Sequence, residues 1–151
     1  MNLRKIDKFQ MDESIRLALK EDITSEDIST NAIYKNSRLA EISLYSKEEG
    51  ILAGIDVFKR VFELLDDNVK FIEYKSDVDK FLNKDLILKI KADVKTILSA
   101  ERTALNYLQR MSGIATYTQK MVEALDDENI KLLDTRKTTP NMRIFEKYSV
   151  R

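Results

Sequence analysis

Between Ile97 and Leu125 one helical repeat runs without a break. Ala104, Leu108, Met111, Ala115, Thr118, Val122 and Leu125 follow one another at steps of four and three, and no proline interrupts them. That spacing places them on one face of a single long helix, with the face turned toward a core. Continued backwards, the step reaches Glu101, so a carboxylate is expected on the buried side with Arg102 beside it. A buried carboxylate needs a partner; the plainer alternative is a surface Glu–Arg pair. Gly113 falls on the opposite face, where glycine costs about 1 kcal/mol relative to alanine. Either another backbone approaches closely there or the helix is locally weak.

The segment before this helix alternates between element types. Residues 12–20 read as a short helix with Ile15, Leu17, Ala18 and Leu19 on its apolar side, and Asp12 and Glu13 suit its N-terminus. The polar stretch from Glu21 to Thr30 reads as a loop. A strand is expected over 39–45, where Leu39, Ile42 and Leu44 partly alternate with polar residues. Gly50 and Gly54 bracket Ile51-Leu52-Ala53. A helix follows, carrying Val57, Phe58, Val61, Phe62, Leu64 and Leu65 at helical spacing. Strands are expected over 69–74 and 86–94, the second with Leu86, Leu88, Ile90 and Ala92 on one face. This is most simply an α+β sandwich. Beyond the long helix, 130–135 reads as a short strand and 136–140 as a loop. Thr139 is a suitable N-cap and Pro140 a suitable first residue for a helix over 142–150.

Composition removes several chemistries. The 151 residues hold no cysteine and no histidine, which excludes disulfides, thiolate metal sites and imidazole acid–base chemistry. Lysine plus arginine number 26, as do aspartate plus glutamate. That balance argues against a nucleic-acid footprint. With Gly 3 and Pro 1 there is no glycine-rich phosphate loop. No apolar run approaches the length of a membrane span and no signal core precedes the fold, so a cytoplasmic location is expected.

Two constellations could carry chemistry. Asp134-Thr135-Arg136-Lys137-Thr138-Thr139-Pro140 packs two cations and three hydroxyls between a strand end and a helix start. A helix N-terminus adds partial positive charge and N–H donors. Arginine offers a planar fork to carboxylate or phosphate, and lysine a point charge. The spot suits a polyanionic ligand; a solvated basic loop is the plainer alternative. The second constellation is the run from Ser99 to Asn106, with Glu101 and Arg102. The carboxylates between Glu21 and Thr30 could hold a cation, but turn and cap chemistry accounts for them more simply.

Two runs carry a family resemblance. Residues 99–116 resemble the helix signature of quinolinate phosphoribosyltransferases. Leu133-Asp134-Thr135-Arg136-Lys137-Thr138-Thr139-Pro140, with Arg143 and Glu146-Lys147-Tyr148-Ser149-Val150-Arg151, resembles their second signature. Weaker echoes are Glu21-Asp22 with Asp27 and Thr30, and Gly50 with Gly54. The likeness spans the chain in order and spacing. Glu26, Lys84, Asn141 and the Lys91-Ala92 region stand where the family has glycine; these positions read as loops or turns.

The resemblance implies an α+β fold: an N-terminal α/β sandwich, residues 1–105, then a linking helix and the first unit of a truncated β/α barrel, residues 106–151. It implies transfer of a phosphoribosyl group from phosphoribosyl pyrophosphate to quinolinate with decarboxylation. The products are nicotinate mononucleotide, pyrophosphate and CO2, a step of de novo NAD biosynthesis. Thr135, Arg136 and Lys137 match the family's substrate-binding triplet. Arg102 matches an arginine inserted into the partner subunit's site, so a homodimer or higher homo-oligomer is expected. Mg2+ is implied, with ligands outside this chain, and no catalytic residue is assigned within it. The family continues past Arg151 with a glycine-rich stretch and the rest of its barrel. The 151 residues are therefore expected to be inactive alone. Ile130, Leu132, Leu133, Ile144 and Phe145 are expected to be exposed or covered by another chain. Two alternatives stay open: a pyrophosphorylase-like paralogue associated with molybdenum transport, and a non-catalytic dimerising fragment.

Overall fold

A computed structural model describes residues 6–23, 38–125, 127 and 129–151. The candidate cation loop from residue 24 onward, with Glu26, Asp27 and Thr30, lies outside the described residues.

Helix α1, Lys8–Asp22, starts four residues earlier than its periodicity suggests. The cause is Asp7, whose side chain accepts from the Gln10 N–H at 3.1 Å. Its buried line is Met11, Ile15 and Leu19. Leu17, expected on the apolar side, is 63% exposed. Two residues from both Ile15 and Leu19, it points away from the face they share.

Strands β1, Leu39–Tyr45, β3, Lys70–Glu73, and β5, Leu86–Asp93, form an antiparallel sheet in the order β1-β5-β3. In β5, Leu88, Ile90 and Ala92 are buried, as period-two alternation requires, and Ile87 is buried as well. Facing them from β1 are Ala40, Ile42 and Leu44, while Leu39 turns outward. The Lys91-Ala92 region lies inside this regular ladder and not in a turn. Its ladder neighbours, Glu41 and Ala40, hold it extended.

Helix α2, Ile55–Glu63, buries Val57, Phe58, Val61 and Phe62. Phe62 meets Phe71 of β3 edge-on at 6.1 Å, which seats α2 on the sheet. Helix α3, Val94–Leu125, has 32 residues and continues directly from β5. Its buried line is Ile97, Ala100, Thr103, Ala104, Tyr107, Leu108, Met111, Ser112 and Ala115. The stripe therefore runs back through Ala100 and Ile97, and Glu101 is exposed. A step of four from Ala104, not three, keeps the line on the core. Toward the other end the expected stripe fades: Val122 is exposed and Thr118 only half-buried.

A short ladder was not apparent from the sequence. Strand β2, Gly50–Ile51, pairs with β4, Lys80–Phe81. Its outer edge is closed by α3 side chains. Thr116 Oγ1 accepts from the Ile51 N–H at 2.8 Å, and Ser112 Oγ accepts from the Ala53 N–H at 3.1 Å. The two glycines make that approach possible. A Cβ on Gly50 would sit 2.6 Å from Thr116 Oγ1, and one on Gly54 would sit 2.6 Å from Met111 Sδ. Gly54 also has φ 99°, a left-handed conformation that favours glycine. Gly113, by contrast, has open space where a Cβ would go, so no neighbouring backbone among the described residues explains it.

Beyond α3 the chain departs from expectation. Residues 130–135 form no strand, because none of the described strands lies beside them to share hydrogen bonds. Ile130, Leu132 and Leu133 are exposed, Leu133 by 84%. Helix α4, Arg143–Ser149, begins three residues after Pro140. Asn141 adopts φ 64°, which breaks the helical path, and the Met142 N–H closes a turn onto the Thr139 carbonyl at 3.0 Å. Thr139 is thus not the cap and Pro140 not the first helical residue. Phe145 is fully buried, contrary to expectation, with its ring 4.8 Å from that of Tyr107 on α3, and Ile144, also expected to be exposed, is half-buried against the same core. Asn141 and Lys84, both in turns where the resemblance leads one to expect glycine, carry positive φ.

Candidate functional site

The polyanion loop lies between α3 and α4. Thr135, Arg136 and Lys137 are all exposed. Short-range hydrogen bonds give the loop its shape: the Lys137 N–H donates to Thr135 Oγ1 at 3.1 Å, and the Thr138 N–H to the Arg136 carbonyl at 3.0 Å. The triplet therefore presents two cations and a hydroxyl from one tight bend.

Helix α4 folds back over this bend. Residues 143, 146 and 147 share a face, since side chains three and four apart stack on a helix. Arg143 Nε donates to Thr138 Oγ1 at 3.1 Å, and its Nη2 to the Arg136 carbonyl at 3.2 Å. Lys147 Nζ donates to Asp134 Oδ2 at 2.5 Å. Glu146 Oε2 accepts from the Thr139 N–H at 3.2 Å. Glu146 Oε1 faces Arg110 of α3, accepting from Nε at 3.1 Å and from Nη2 at 2.5 Å. Burial pushes the Glu146 carboxyl up, but Arg110 and Thr139 outweigh it and hold it below the ordinary glutamate range. Inspection of the sequence missed Arg110, Arg143, Glu146 and Lys147 as loop contacts. The signal was present in the charged 143/146/147 spacing, one helix turn after a cationic loop.

Arg102 stands elsewhere. Its side chain is 75% exposed, and Nη1 donates to Asp22 Oδ1 of α1 at 2.8 Å. It lies eight residues before Arg110, so about 12 Å along the α3 axis from the side chain that touches the loop. Arg136 and Lys137 are thus brought together on one bend, and Arg102 is presented from a separate surface. Among the described residues no group of three or more Asp and Glu side chains could hold a metal ion. No described helix is long and apolar enough to cross a membrane.

A second concave region, about 280 Å³, lies between α1, α2 and α4 and is lined by Lys8, Asp56, Lys59, Arg60, Asp77 and Tyr148 among others. Most of its charged and polar groups are paired. Arg60 Nε meets Asp12 Oδ1 at 2.7 Å, Lys59 Nζ meets Glu73 Oε1 at 2.8 Å, and the Tyr148 hydroxyl donates to Asp77 Oδ2 at 2.5 Å. Burial and the Asp77 carboxylate both push the Tyr148 phenol well above its ordinary range. This region joins α4 to the sandwich, and carboxylates already engage its Lys59 and Arg60.

Comparison with known proteins agrees with the two signatures. Residues 27–112 match the family model for the quinolinate phosphoribosyl transferase N-terminal domain, and residues 114–151 match that for its C-terminal domain. A probable nicotinate-nucleotide pyrophosphorylase (carboxylating) of Bacillus subtilis is 44% identical over 87% of this chain and 45% of its own length. A mitochondrial quinolinate phosphoribosyltransferase (decarboxylating) of Nicotiana tabacum is 35% identical over 94% of this chain and 40% of its own. Among solved structures, NadC from Streptococcus pyogenes superposes with a TM-score of 0.91 at 51% identity, covering 95% of this chain and 52% of that one. The nicotinate-nucleotide pyrophosphorylase from Francisella tularensis also gives 0.91, at 35% identity, covering 99% and 53%. The chain spans about half the length of the relatives it matches. With both family models matched in tandem and the fold superposing, this chain belongs to the quinolinate phosphoribosyl transferase family.

Proposed function

We propose that the protein carrying this sequence transfers the phosphoribosyl group of phosphoribosyl pyrophosphate to quinolinate with loss of CO2, giving nicotinate mononucleotide and pyrophosphate. The observation that carries this reading is the exposed Thr135-Arg136-Lys137 bend in a chain that matches both family models. Quinolinate carries two carboxylates and phosphoribosyl pyrophosphate is more anionic still. Arg136 can pair with one carboxylate through its planar fork, Lys137 can add a point charge, and the Thr135 hydroxyl can donate to a further oxygen. Held this way, the ring nitrogen is aimed at the incoming sugar and the second carboxylate stays available to depart. Positioning and charge neutralisation then supply most of the acceleration.

Arg102 acts from a second copy in this reading, reaching a neighbouring subunit's bend, so the working enzyme is a homodimer or larger homo-oligomer in the cytoplasm. The division into a sandwich, residues 1–105, and the start of a barrel domain, residues 106–151, belongs to the same reading. Mg2+ serves the family reaction, but the described side chains do not form a donor set for it, and no step here is assigned to it. The 151 residues alone are expected to be inactive.

The test is nicotinate mononucleotide formation by the full-length protein from quinolinate, phosphoribosyl pyrophosphate and Mg2+, with the 151-residue chain in parallel. Product from the first and none from the second supports the reading. Absence of product from a folded full-length protein overturns the activity, and turnover by the short chain overturns its inactivity. Mixing Arg102→Ala subunits with Arg136→Ala subunits tests the crossing. Activity regained by the mixture means that Arg102 serves its neighbour; a dead mixture means that it does not.

A further inference from the structure

The anion loop is fastened on both sides of its cationic triplet by side chains that leave Arg136 and Lys137 exposed. Lys147 holds Asp134, and Arg143 holds the Arg136 carbonyl and the Thr138 hydroxyl. Arg110 and Glu146 hold Thr139: Arg110 Nη2 donates to Thr139 Oγ1 at 2.6 Å, and Glu146 accepts from the Thr139 N–H. Since Arg110 and Glu146 also bind each other, the three residues close a ring that ties the loop to both α3 and α4. The stretch from Asp134 to Lys137 has no ladder partner and buries no side chain. Its order must come from these polar fastenings, because burial supplies none.

We propose that Arg110 and Glu146 are positioning residues that preset the Thr135-Arg136-Lys137 bend, so that it meets the quinolinate carboxylates already ordered. The proposal rests on the function given above. A site that is pre-arranged spares the ligand the ordering cost, and a loop in its competent shape only a fraction of the time weakens apparent affinity by that fraction. Arginine suits this place because one guanidinium reaches the carboxylate and the hydroxyl together, which a lysine ammonium on a flexible stem does less well.

The experiment measures quinolinate KM and kcat, together with equilibrium quinolinate binding, in the full-length protein. Variants Arg110→Met, Arg110→Lys, Glu146→Gln and Thr139→Val are compared with wild type. If Arg110→Met leaves the bend competent about a tenth of the time, its KM and Kd rise about 10-fold with kcat changed less than about 2-fold. Arg110→Lys should recover part of that loss. Thr139→Val and Glu146→Gln, which keep their volumes, should weaken binding by about 2- to 5-fold at a temperature where both are fully folded, and they decide the matter should Arg110→Met fail to fold. Unchanged binding in those two variants overturns the proposal, as does a loss confined to kcat. A wild-type enzyme that neither binds quinolinate nor turns over fails the proposed function itself, a result separable from any variant's behaviour.

Discussion

Phe58, Phe62, Leu88 and Ile90 in the sandwich are almost completely excluded from solvent, whereas Leu133, Thr135, Arg136 and Lys137 beyond α3 all stand in it. The first group is ordered by apolar burial, which is cooperative and indifferent to charge. The second is ordered by Arg110, Arg143, Glu146 and Lys147, whose contacts are directional and sensitive to salt and acid. One chain thus has a stable scaffold and a separately fastened cationic bend. Substrate-contacting loops are commonly drawn from the less stable part of a fold.

The largest expected effect lies in the scaffold. Phe62→Ala removes a fully buried ring that packs on both Phe58 and Phe71, and should cost about 3–5 kcal/mol in urea unfolding. A loss below about 1 kcal/mol would mean that the sandwich does not rest on this cluster. Next comes Gly54→Ala, which adds a Cβ against Met111 Sδ at a residue with φ 99°. It should cost about 1–3 kcal/mol, and a neutral result would contradict the close approach of the β2 segment to α3.

Acid sharpens the contrast. The Glu146 carboxyl sits below the ordinary glutamate range despite burial, because Arg110 and Thr139 favour its charged form. A depressed carboxyl contributes stability above its unfolded pKa and loses it as pH falls through the folded one. The Thr139 amide should therefore lose protection from hydrogen exchange as pH drops below the usual glutamate range. Ile90 in β5 should stay protected until the scaffold itself responds. Asp12, held low first by its hydrogen bonds from Arg60, makes α1 acid-sensitive in the same direction. The smallest effect is Gly113→Ala, on the open face of α3. It should stabilise by up to about 1 kcal/mol through helix propensity alone, and destabilisation would reveal a contact on that face.

Legibility followed the same division. Where periodicity reports burial, as in α2, β1, β5 and most of α3, inspection of the sequence found the elements. It misplaced Glu101 because one helical step of three or four moves a residue off the core line, and only packing settles which step applies. The β2–β4 ladder of two residues per strand is too short to produce a pattern. Gly50 and Gly54 were visible, but their reason, contact with Thr116 and Met111, is tertiary. The cationic bend was legible as composition. Its fastening was legible only in part: the charged 143/146/147 spacing was visible, but the link to Arg110 was not, because Arg110 and Glu146 are 36 residues apart. The strand expected over 130–135 failed for a related reason: an apolar run becomes a strand only beside a partner.

The most direct test of the two-part account is hydrogen exchange on this chain at low and at about 1 M NaCl, where the Debye length falls to about 3 Å. The Thr138 and Thr139 amides should exchange faster in high salt and in Arg110→Met, while the amides of Leu88 and Ile90 hold their protection in both. Simultaneous loss at all four amides, or a bend indifferent to salt and to Arg110, would contradict a loop fastened by charge upon a scaffold held by burial.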